Sequence, residues 1–307
     1  MTKHICLTIT LLLALSFCFG QTSDKPKVCF TFDDGNTNDI ADYKQKDWNV
    51  LILKQLKAEN IQAIFFACGQ GLNNAKGDSL LTTWNNSGHL IGNHTFWHKN
   101  YNNPDITFEY LKKDFLKNDS LINKYNYYTK LFRFPYLKEG NTVEKRDSFR
   151  LFMKSMGYAN GYVTIDASDW YYDNRLIKAL KANPDLDLTA YKKAYLEHIV
   201  DRAMYYDSIA YVLTGRKIHH SLLLHHNLTS ALFLGDLIKM FKSRGWIICS
   251  ATETYKDEIY LKNPTNMPAG ESLIWALAKE SGKFKKVLRY PAEDSIYEKE
   301  KLDKLKQ

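Results

Sequence analysis

The chain has 307 residues, of which 45% are hydrophobic and 25% are charged. This balance is typical of a globular protein with a sizeable buried core, and it excludes a disordered or fibrous chain. Only 7 Pro and 15 Gly are present, too few for a low-complexity linker, so one large domain is predicted rather than two. The formal charge of +8 predicts a basic surface, but no Lys/Arg cluster with base-stacking aromatic residues points to a nucleic acid.

Residues 1–20 have the pattern of a signal peptide. The apolar run Ile5–Phe19 follows a basic start, and small residues precede Gln21, where cleavage is expected. The sequence therefore predicts export to the periplasm, the cell envelope or the medium. Lipid attachment at Cys18 is disfavoured because the bulky Phe17 precedes it. No later segment reaches the ~18 consecutive apolar residues of a membrane helix, so no stable membrane span is predicted.

Three cysteines remain in the predicted mature chain: Cys29, Cys68 and Cys249. Their number is odd, they are far apart, and each lies in or at the end of an apolar run. No CxxC spacing is present, so buried free thiols are predicted rather than a disulfide framework or a metal site.

Seven short apolar runs rich in β-branched and aromatic residues predict β-strands. They are Lys27–Phe32, Gln62–Ala67, Leu90–Asn93, Leu131–Phe134, Gly161–Ile165, Ser221–His225 and Trp246–Cys249. Their apolar character is nearly continuous rather than alternating, which is typical of parallel strands buried on both faces.

Helical patterns separate the strands in a repeated βα order. They cover Asp47–Glu59, Asp78–Ser87, Asp105–Tyr125, Thr142–Met156, Asp187–Leu213 and Thr229–Arg244. Parallel βα units either close into a barrel or open into a doubly wound sheet. The absence of a GxGxxG motif removes the support for a dinucleotide-binding fold, so we predict an α/β barrel of seven units.

Two segments depart from the repeated βα order. Residues 171–220 form a long excursion between the fifth and sixth strands, predicted to be mostly one amphipathic helix. The tail from about Lys256 contains a short apolar helix near Leu273–Ala278 and a Lys/Glu-rich end. We therefore predict a barrel over residues 27–254 and a peripheral C-terminal extension over 255–307.

Reactive side chains follow several of the predicted strands, at the end where parallel α/β folds carry their sites. They are Asp33 and Asp34, His94 and His98, Arg133, Asp166 and Asp169 with Trp170, and His225 and His226. By contrast His89, His219 and His220 precede their strands and His198 lies on the long helix, so these four histidines are interpreted as structural.

The first two groups together predict a metal site. His94 and His98 are four residues apart, so on a helical turn both imidazoles face the same way and can share one cation. One of the two carboxylates, Asp33 or Asp34, completes a His₂Asp set, which leaves the other to act on a water. Three protein ligands leave room for water, as in catalytic rather than structural sites. Taken singly, Asp-Asp-Gly is a common turn and a His pair at this spacing is a common coincidence.

The remaining groups fit an acid–base site, although each also has a plain structural interpretation. Arg133 is either an ordinary residue before the turn at Pro135 or a bidentate partner that keeps a carboxylate ionised. Asp169 and His225 end neighbouring strands, so the carboxylate can orient the ring and raise its pKa for service as an acid. A packed core histidine is the alternative.

Five segments in order resemble the polysaccharide deacetylases, the NodB-homology group known as carbohydrate esterase family 4. They are Thr31-Phe32-Asp33-Asp34-Gly35, His94-Thr95-Phe96-Trp97-His98, Arg133-Phe134-Pro135-Tyr136, Asp166-Ala167-Ser168-Asp169-Trp170 and Leu223-Leu224-His225. The resemblance spans about Lys27 to Thr254. It implies an irregular (β/α)₇ barrel, in agreement with the strand count.

The resemblance also implies a role for each matched residue. Asp33 is the general base, and Asp34, His94 and His98 bind a divalent metal, usually Zn²⁺, with Co²⁺ or Ni²⁺ as alternatives. Arg133 positions Asp33, and His225 is the general acid supported by Asp169. Tyr136 lends its backbone N–H to the oxyanion, and Trp170 walls the acetyl pocket. The register places the acid at His225, although Leu-x-His also fits His226.

The implied function is metal-dependent removal of acetyl groups from a glycan of the N-acetylglucosamine type, such as peptidoglycan or a chitin-like oligomer. Asn36 and His226 depart from the family pattern, as do the excursion and the tail, and these departures affect substrate identity more than chemistry. The alternatives are an O-acetyl polysaccharide esterase, another C–N amide hydrolase, a non-catalytic glycan-binding module and a basic structural envelope protein.

Overall fold

The computed structural model describes residues 25–289 and 296–305. The predicted signal peptide and Cys18 lie outside the described residues. Cys29, Cys68 and Cys249 are buried free thiols, as the sequence predicts. Within the described residues, no helix is long and apolar enough to cross a membrane.

A curled parallel sheet forms the centre of the fold. Its strands are β1 (Lys27–Asp34), β2 (Ile64–Ala67), β3 (Leu90–Asn93), β4 (Tyr128–Phe132), β6 (Ala159–Asn160), β7 (His219–His225) and β8 (Ile247–Ile248). The spatial order is β6-β4-β3-β2-β1-β7, and β8 pairs with the first two residues of β1. The mixed α/β architecture confirms the predicted (β/α) barrel. The first strand has three partners in the sheet, because it pairs with β2, β7 and β8.

The predicted fifth strand, Gly161–Ile165, is not a regular strand. The regular pairing with β4 ends at Asn160, and the chain then changes partners. Gly161 donates its N–H to Phe132 of β4, whereas Ile165 bridges Leu222 of β7. The segment thus crosses from β4 to β7 without forming a regular ladder with either strand, which makes the barrel irregular.

Helices cover the outer face of the sheet. The long ones are α1 (Gln45–Ala58), α3 (Ala75–Asn86), α4 (Phe108–Ile122), α5 (Val143–Ser155), α6 (Asp169–Ala182), α7 (Thr189–Thr214), α8 (Leu228–Ser243) and α10 (Leu273–Ser281). Shorter ones are α2 (Gly69–Leu72), α9 (Ala251–Thr254) and α11 (Ile296–Asp303), with 3₁₀ turns at Pro135–Leu137 and Glu258–Leu261. The excursion therefore holds two helices, α6 and α7, where the sequence predicts mostly one.

The predicted peripheral extension, residues 255–307, is not peripheral over its described part. Leu273, Ile274 and Trp275 are buried in the main hydrophobic cluster together with side chains of α7 and α8. A second, antiparallel sheet joins β5 (Lys138–Gly140) to β9 (Ala269–Gly270) and so ties this extension to the loop after β4.

Candidate active site

The predicted site residues meet at the carboxyl ends of the parallel strands. Asp33 near the end of β1 is the register partner of His225 at the end of β7. They line one cleft of about 650 Å³, whose walls also include Asp34, His94, His98 and Trp170. Arg133 lies behind this surface and is 1% exposed. The five segments that are separate in sequence thus form a single site.

Asp34, His94 and His98 present three ligand atoms to one point. His94 Nε2 lies 3.2 Å from His98 Nε2 and 3.5 Å from Asp34 Oδ1, and His98 Nε2 lies 3.2 Å from the same oxygen. Asp34 Oδ1 is itself buried and has no hydrogen-bond partner among the described residues. This group of His and Asp atoms is able to hold a metal ion.

A backbone carbonyl sets the tautomer of His94, and burial keeps both imidazoles neutral. The carbonyl oxygen of Arg133 lies 2.8 Å from His94 Nδ1, and because a carbonyl only accepts, that nitrogen carries the proton. The Nε2 lone pair then faces Asp34 and His98, as a metal ligand requires. Burial lowers the pKa of His94 to about 4 and, with His94 as neighbour, that of His98 to about 4, so both rings are neutral near pH 7.

Helix α4 and the end of β3 brace the loop between the two histidines. Asp114 of α4 accepts the N–H groups of Phe96 and Trp97, each at 2.7 Å, and Asn93 accepts that of Thr95 at 2.9 Å. Sequence reasoning did not single out Asp114 or Asn93. An Asn at a strand end and an Asp within an amphipathic helix carry no local signal of such a role.

Left-handed backbone conformations cluster at the metal-site residues. The φ angles are 75° at Asp34, 60° at Thr95 and 51° at His98. Each costs a non-glycine residue roughly 1–2 kcal/mol, so the surrounding hydrogen bonds must impose them. Strain of this kind is typical of functional sites.

Asp33 is held by Arg133 at the floor of the cleft. Arg133 Nη1 donates to Asp33 Oδ1 at 2.6 Å, and its other nitrogens donate to the Gly161 carbonyl and the Tyr255 hydroxyl. The contact is therefore made through one nitrogen instead of the predicted bidentate fork, because the remaining donors fix the guanidinium to the barrel. Burial raises the pKa of Asp33 to about 6, against the opposing effect of Arg133.

Tyr255 is a further contact that sequence reasoning missed. Besides accepting from Arg133 at 2.9 Å, its hydroxyl donates to the Tyr162 carbonyl at 3.2 Å. It lies just beyond the span of the resemblance, which ends at about Thr254, and nothing in the sequence distinguishes it from a packing residue.

His225 and Asp169 form a close pair at the cleft. Asp169 Oδ1 lies 2.7 Å from His225 Nδ1, and Asp169 Oδ2 accepts the His225 backbone N–H at 2.7 Å. Burial alone would lower the pKa of His225, but the charge of Asp169, with smaller contributions from Asp34 and Asp33, raises it to about 10. The ring is thus protonated near neutral pH.

His226 points to the opposite side of the strand end. Its Nε2 lies 2.9 Å from Asn49 Oδ1, and its Nδ1 accepts the Asn36 N–H at 3.1 Å. The ring packs between Trp48 and Phe65, with centroid distances of 4.7 and 5.3 Å. Of the two candidate acids, the structure therefore places His225, and not His226, against Asp169.

Tyr136 and Trp170 both line the cleft. Tyr136 has a φ of 56°, and its ring lies 4.6 Å from that of His98. Asp166 is fully buried and also lines the cleft. Among the histidines interpreted as structural, His89 accepts the Ala63 N–H, His198 accepts the Ser168 N–H, and His220 contacts Thr164.

Sequence comparison places the first half of the chain among known proteins. Residues 20–160 match the family model described as polysaccharide deacetylase. A peptidoglycan-N-acetylglucosamine deacetylase of Bacillus cereus is 30% identical over 122 residues, which are 39% of this chain and 40% of that protein. The chain thus aligns with less than half the length of this curated relative.

Solved structures extend the likeness to most of the fold. The Bc1960 peptidoglycan N-acetylglucosamine deacetylase, in complex with 4-naphthalen-1-yl-N-oxidanyl-benzamide, is 19% identical with a TM-score of 0.52, covering 76% of this chain and 89% of that chain. Peptidoglycan deacetylase PdaC from Bacillus subtilis is 21% identical with a TM-score of 0.50, covering 76% and 91%.

A protein described as a CE4 family pseudoenzyme, BA3943 from Bacillus anthracis, is 17% identical with a TM-score of 0.50, covering 75% of this chain and 66% of that chain. At these identities the structures establish the fold alone. The family match includes the segments around Asp33, His94 and Arg133. Residues 20–160, just under half of the chain, are thus similar to the polysaccharide deacetylases.

Proposed function

We propose that this protein is a metal-dependent hydrolase that removes acetyl groups from a glycan of the N-acetylglucosamine type, such as peptidoglycan or a chitin-like oligomer. One observation carries the proposal: the three-atom cluster of Asp34, His94 and His98 lies in one cleft with Asp33 and with the His225–Asp169 pair. A base, an acid and a cation site in one cleft are the parts that acyl transfer to water needs.

Zn²⁺ is the metal that the donor set favours, with Co²⁺ or Ni²⁺ as alternatives. Ligand atoms about 2.0–2.2 Å from a tetrahedral zinc lie roughly 3.3–3.6 Å from one another. The three separations of 3.2, 3.2 and 3.5 Å are close to this range. When bound, the metal would act as a Lewis acid on the acetyl carbonyl and on water.

Asp33 is the proposed general base. It is 2% exposed at the floor of the cleft, beside the ligands, and Arg133 holds one of its oxygens at 2.6 Å. The other oxygen, Oδ2, lies 3.8 Å from His94 Nε2 and so faces the cation site, where it can take a proton from the attacking water.

His225 is the proposed general acid, oriented by Asp169. Its Nδ1–H faces Asp169, so Nε2 is the nitrogen left to donate a proton to the departing amine. An amine is a poor leaving group without that proton. The backbone N–H of Tyr136 is the proposed oxyanion donor and Trp170 the proposed wall of the acetyl pocket, since both line the same cleft.

The proposed site of action is outside the cytoplasm. The signal-peptide pattern of residues 1–20 supports export, and peptidoglycan and chitin-like polymers are extracytoplasmic substrates. Detection of the processed chain in a periplasmic, envelope or culture fraction tests this point independently of the enzyme assay.

The deciding experiment measures acetate release by the metal-loaded protein from N-acetylglucosamine oligomers, peptidoglycan and acetylated xylan. We expect release from at least one N-acetylated substrate. Release from xylan alone would identify an O-acetyl esterase, and no release from any of them, with metal bound, would favour a non-catalytic glycan-binding module.

Two variants separate the proposed roles of the paired carboxylates. Asp33→Asn is expected to keep about one metal per chain and to lose most turnover, because the water has no base. Asp34→Asn is expected to lose metal and turnover together. The exposed Asp42→Asn is the matched control. Metal loss in Asp33→Asn with retention in Asp34→Asn would mean that the two roles are reversed.

A further inference from the structure

The turn that carries Tyr136 has an unusual backbone. Tyr136 and Leu137 both have φ angles of 56°, so two consecutive non-glycine residues are left-handed. Such residues are strained and persist only where neighbouring structure over-determines them. Within the turn, Leu137 donates its N–H to the Phe134 carbonyl at 3.0 Å. The Lys138 N–H donates to the Pro135 carbonyl, and further restraints come from a distant part of the chain.

The C-terminal extension supplies these restraints through β9 and the residue that follows it. β9 pairs with β5 antiparallel, with Gly270 opposite Lys138 and Ala269 opposite Gly140. The Glu271 N–H then donates to the Leu137 carbonyl at 2.8 Å. This bond holds the second left-handed residue of the turn directly.

Side chains reinforce the same contact. Lys138, which lines the cleft, forms an ion pair with Glu271, and the two side chains are 16% and 11% exposed. Because the pair is largely shielded from water, the attraction between the two charges is screened less than in a surface salt bridge. It fixes the first residue after the turn to the extension.

Gly270 permits the close approach of the two segments. Its φ of +123° is a conformation that L side chains rarely adopt. A Cβ at this position would overlap the Leu137 carbonyl oxygen and come within 3.0 Å of Lys138 Cα. Both obstacles are backbone atoms and cannot rotate away, so any side chain would displace the turn.

We propose that Gly270 and Glu271 are positioning residues that hold the Tyr136–Leu137 turn in the conformation that lines the cleft. The inference rests on the proposed function for its effect on catalysis. A displaced turn moves the proposed oxyanion donor, whereas the metal ligands and the Asp33–Arg133 contact stay in place.

The test compares Gly270→Ala with Gly282→Ala. Gly282 lies in the same extension and has a φ of +66°, and a Cβ added there would have only Lys285 Cε, at 3.9 Å, as a near neighbour. Its variant therefore adds strain without displacing the turn. In Gly270→Ala we expect kcat to fall about 10–100-fold, below the loss from removing an oxyanion donor outright. KM should stay within about threefold and metal content should be unchanged.

A second readout does not depend on activity. Hydrogen–deuterium exchange of the peptide covering residues 134–141 is expected to speed up in Gly270→Ala and to stay at the parent rate in Gly282→Ala. Parent exchange in that peptide would overturn the positioning role. If Gly270→Ala exchanges faster but the parent protein itself releases no acetate, the proposed function is contradicted while the positioning role is supported.

If Gly270→Ala does not fold, Glu271→Ala tests the positioning role instead. It keeps the backbone bond to Leu137, adds no atoms and removes the ion pair with Lys138. We expect a smaller loss of kcat, about 3–10-fold, with faster exchange over 134–141 and recovery of both values in Glu271→Asp. Parent kcat and parent exchange in Glu271→Ala would overturn the proposal.

Discussion

The ends of β1 and β7, which form the cleft, differ in how they direct two adjacent side chains. Strand alternation sends successive side chains to opposite faces. It holds at His225 and His226, where one ring meets Asp169 and the other enters the core. It fails at Asp33 and Asp34, which both line the cleft, because Asp34 has a φ of 75°. A single left-handed residue thus brings two adjacent carboxylates to one site.

The histidine pair gives a reciprocal prediction. His225→Ala is expected to lower turnover by roughly 10²–10⁴-fold, the usual contribution of a positioned general acid. His226→Ala removes a buried ring with two hydrogen bonds and should lower the unfolding free energy by about 2–4 kcal/mol. Its turnover should change much less. Steady-state acetate release and urea unfolding measure the two effects.

The same pair of variants also discriminates between substrates. An alkoxide leaving group needs protonation less than an amine does, so His225→Ala should impair ester hydrolysis less than amide hydrolysis. Loss of turnover confined to folded His226→Ala would place the acid one residue later than proposed. Equal losses in both variants, with circular dichroism unchanged, would rule out a unique acid at this strand end.

At the scale of residues, motif spacing was sufficient to predict which side chains meet. Asp34, His94 and His98 converge as their positions after β1 and β3 suggest. The supporting residues were not predictable, because Asp114 and Tyr255 act through hydrogen bonds to residues that are distant in the sequence. Their roles depend on tertiary placement, which no local spacing encodes.

At the scale of elements, the sequence predicted seven strands, and six of them coincide with regular strands of the structure. The exception, 161–165, has the composition of a strand but changes partner from β4 to β7. Crowding inside the barrel contributes, since a Cβ at Gly161 would lie 2.5 Å from the Phe66 ring. The apolar composition of a segment indicates that it is buried, but it does not indicate which strand supplies its hydrogen bonds.

The excursion shows a boundary that the sequence did signal. Helix α6 ends at Ala182 and α7 begins at Thr189, with Asn183-Pro184 between them. A proline disfavours helical backbone at the residue before it, so this dipeptide marks the break. The prediction of mostly one helix gave more weight to the apolar stripe than to that break.

A pH-dependent prediction concerns the 3₁₀ turn at Glu258–Leu261, which Asp257 caps. Asp257 accepts the N–H groups of Ile259 and His219, each at 2.9 Å, and pairs with Arg216. Burial would raise its pKa, but these donors outweigh burial and lower the pKa to about 2. The contribution to stability is therefore complete above the unfolded value of ~3.9 and is lost as the pH falls toward 2.

Asp257→Asn is thus expected to cost about 1.5–3 kcal/mol of unfolding free energy at pH 6, the range for hydrogen bonds to a charged group. The difference from the parent should narrow between about pH 4 and pH 2. Urea unfolding across that range measures it, with the exposed Asp201→Asn as control. A difference that stays constant down to pH 2 would contradict the assignment of the lowered pKa to Asp257.

At the scale of the whole molecule, the C-terminal extension is part of the barrel's support. It reaches the proposed base through Tyr255 and Arg133, and the turn at Tyr136 through β9. The sequence predicted a peripheral wrap because its apolar helix is short and its end is rich in Lys and Glu. Some of those charged side chains are buried against a partner, and composition cannot distinguish them from charged side chains that are exposed to solvent.

Glu298 in α11 is the buried charge nearest the end of the described chain. It is 5% exposed, and it accepts from Arg289 at 2.7 Å and from Tyr172 at 3.2 Å. His198 Nδ1 lies 3.1 Å from its Oε2, and His198 Nε2 accepts the Ser168 N–H at 3.0 Å. Because that Nε2 accepts, the ring proton sits on Nδ1 and points at the carboxylate. The last helix is thereby connected to the start of α6, where Asp169 follows Ser168.

Glu298→Ala should consequently lower the stability of the entire fold rather than unfold only the last helix. The variant leaves the Arg289 guanidinium and the His198 Nδ1–H without their carboxylate, which should cost about 1.5–3 kcal/mol and lower the urea midpoint. Glu300→Ala, on the same helix but with an 84% exposed side chain, should change the unfolding free energy by less than ~0.5 kcal/mol. One cooperative transition, seen alike by tryptophan fluorescence and circular dichroism, is expected for both variants. An unchanged midpoint in Glu298→Ala, or a separate early transition in the parent, would show that α11 folds independently of the barrel and that its contact with His198 carries no stability to the site.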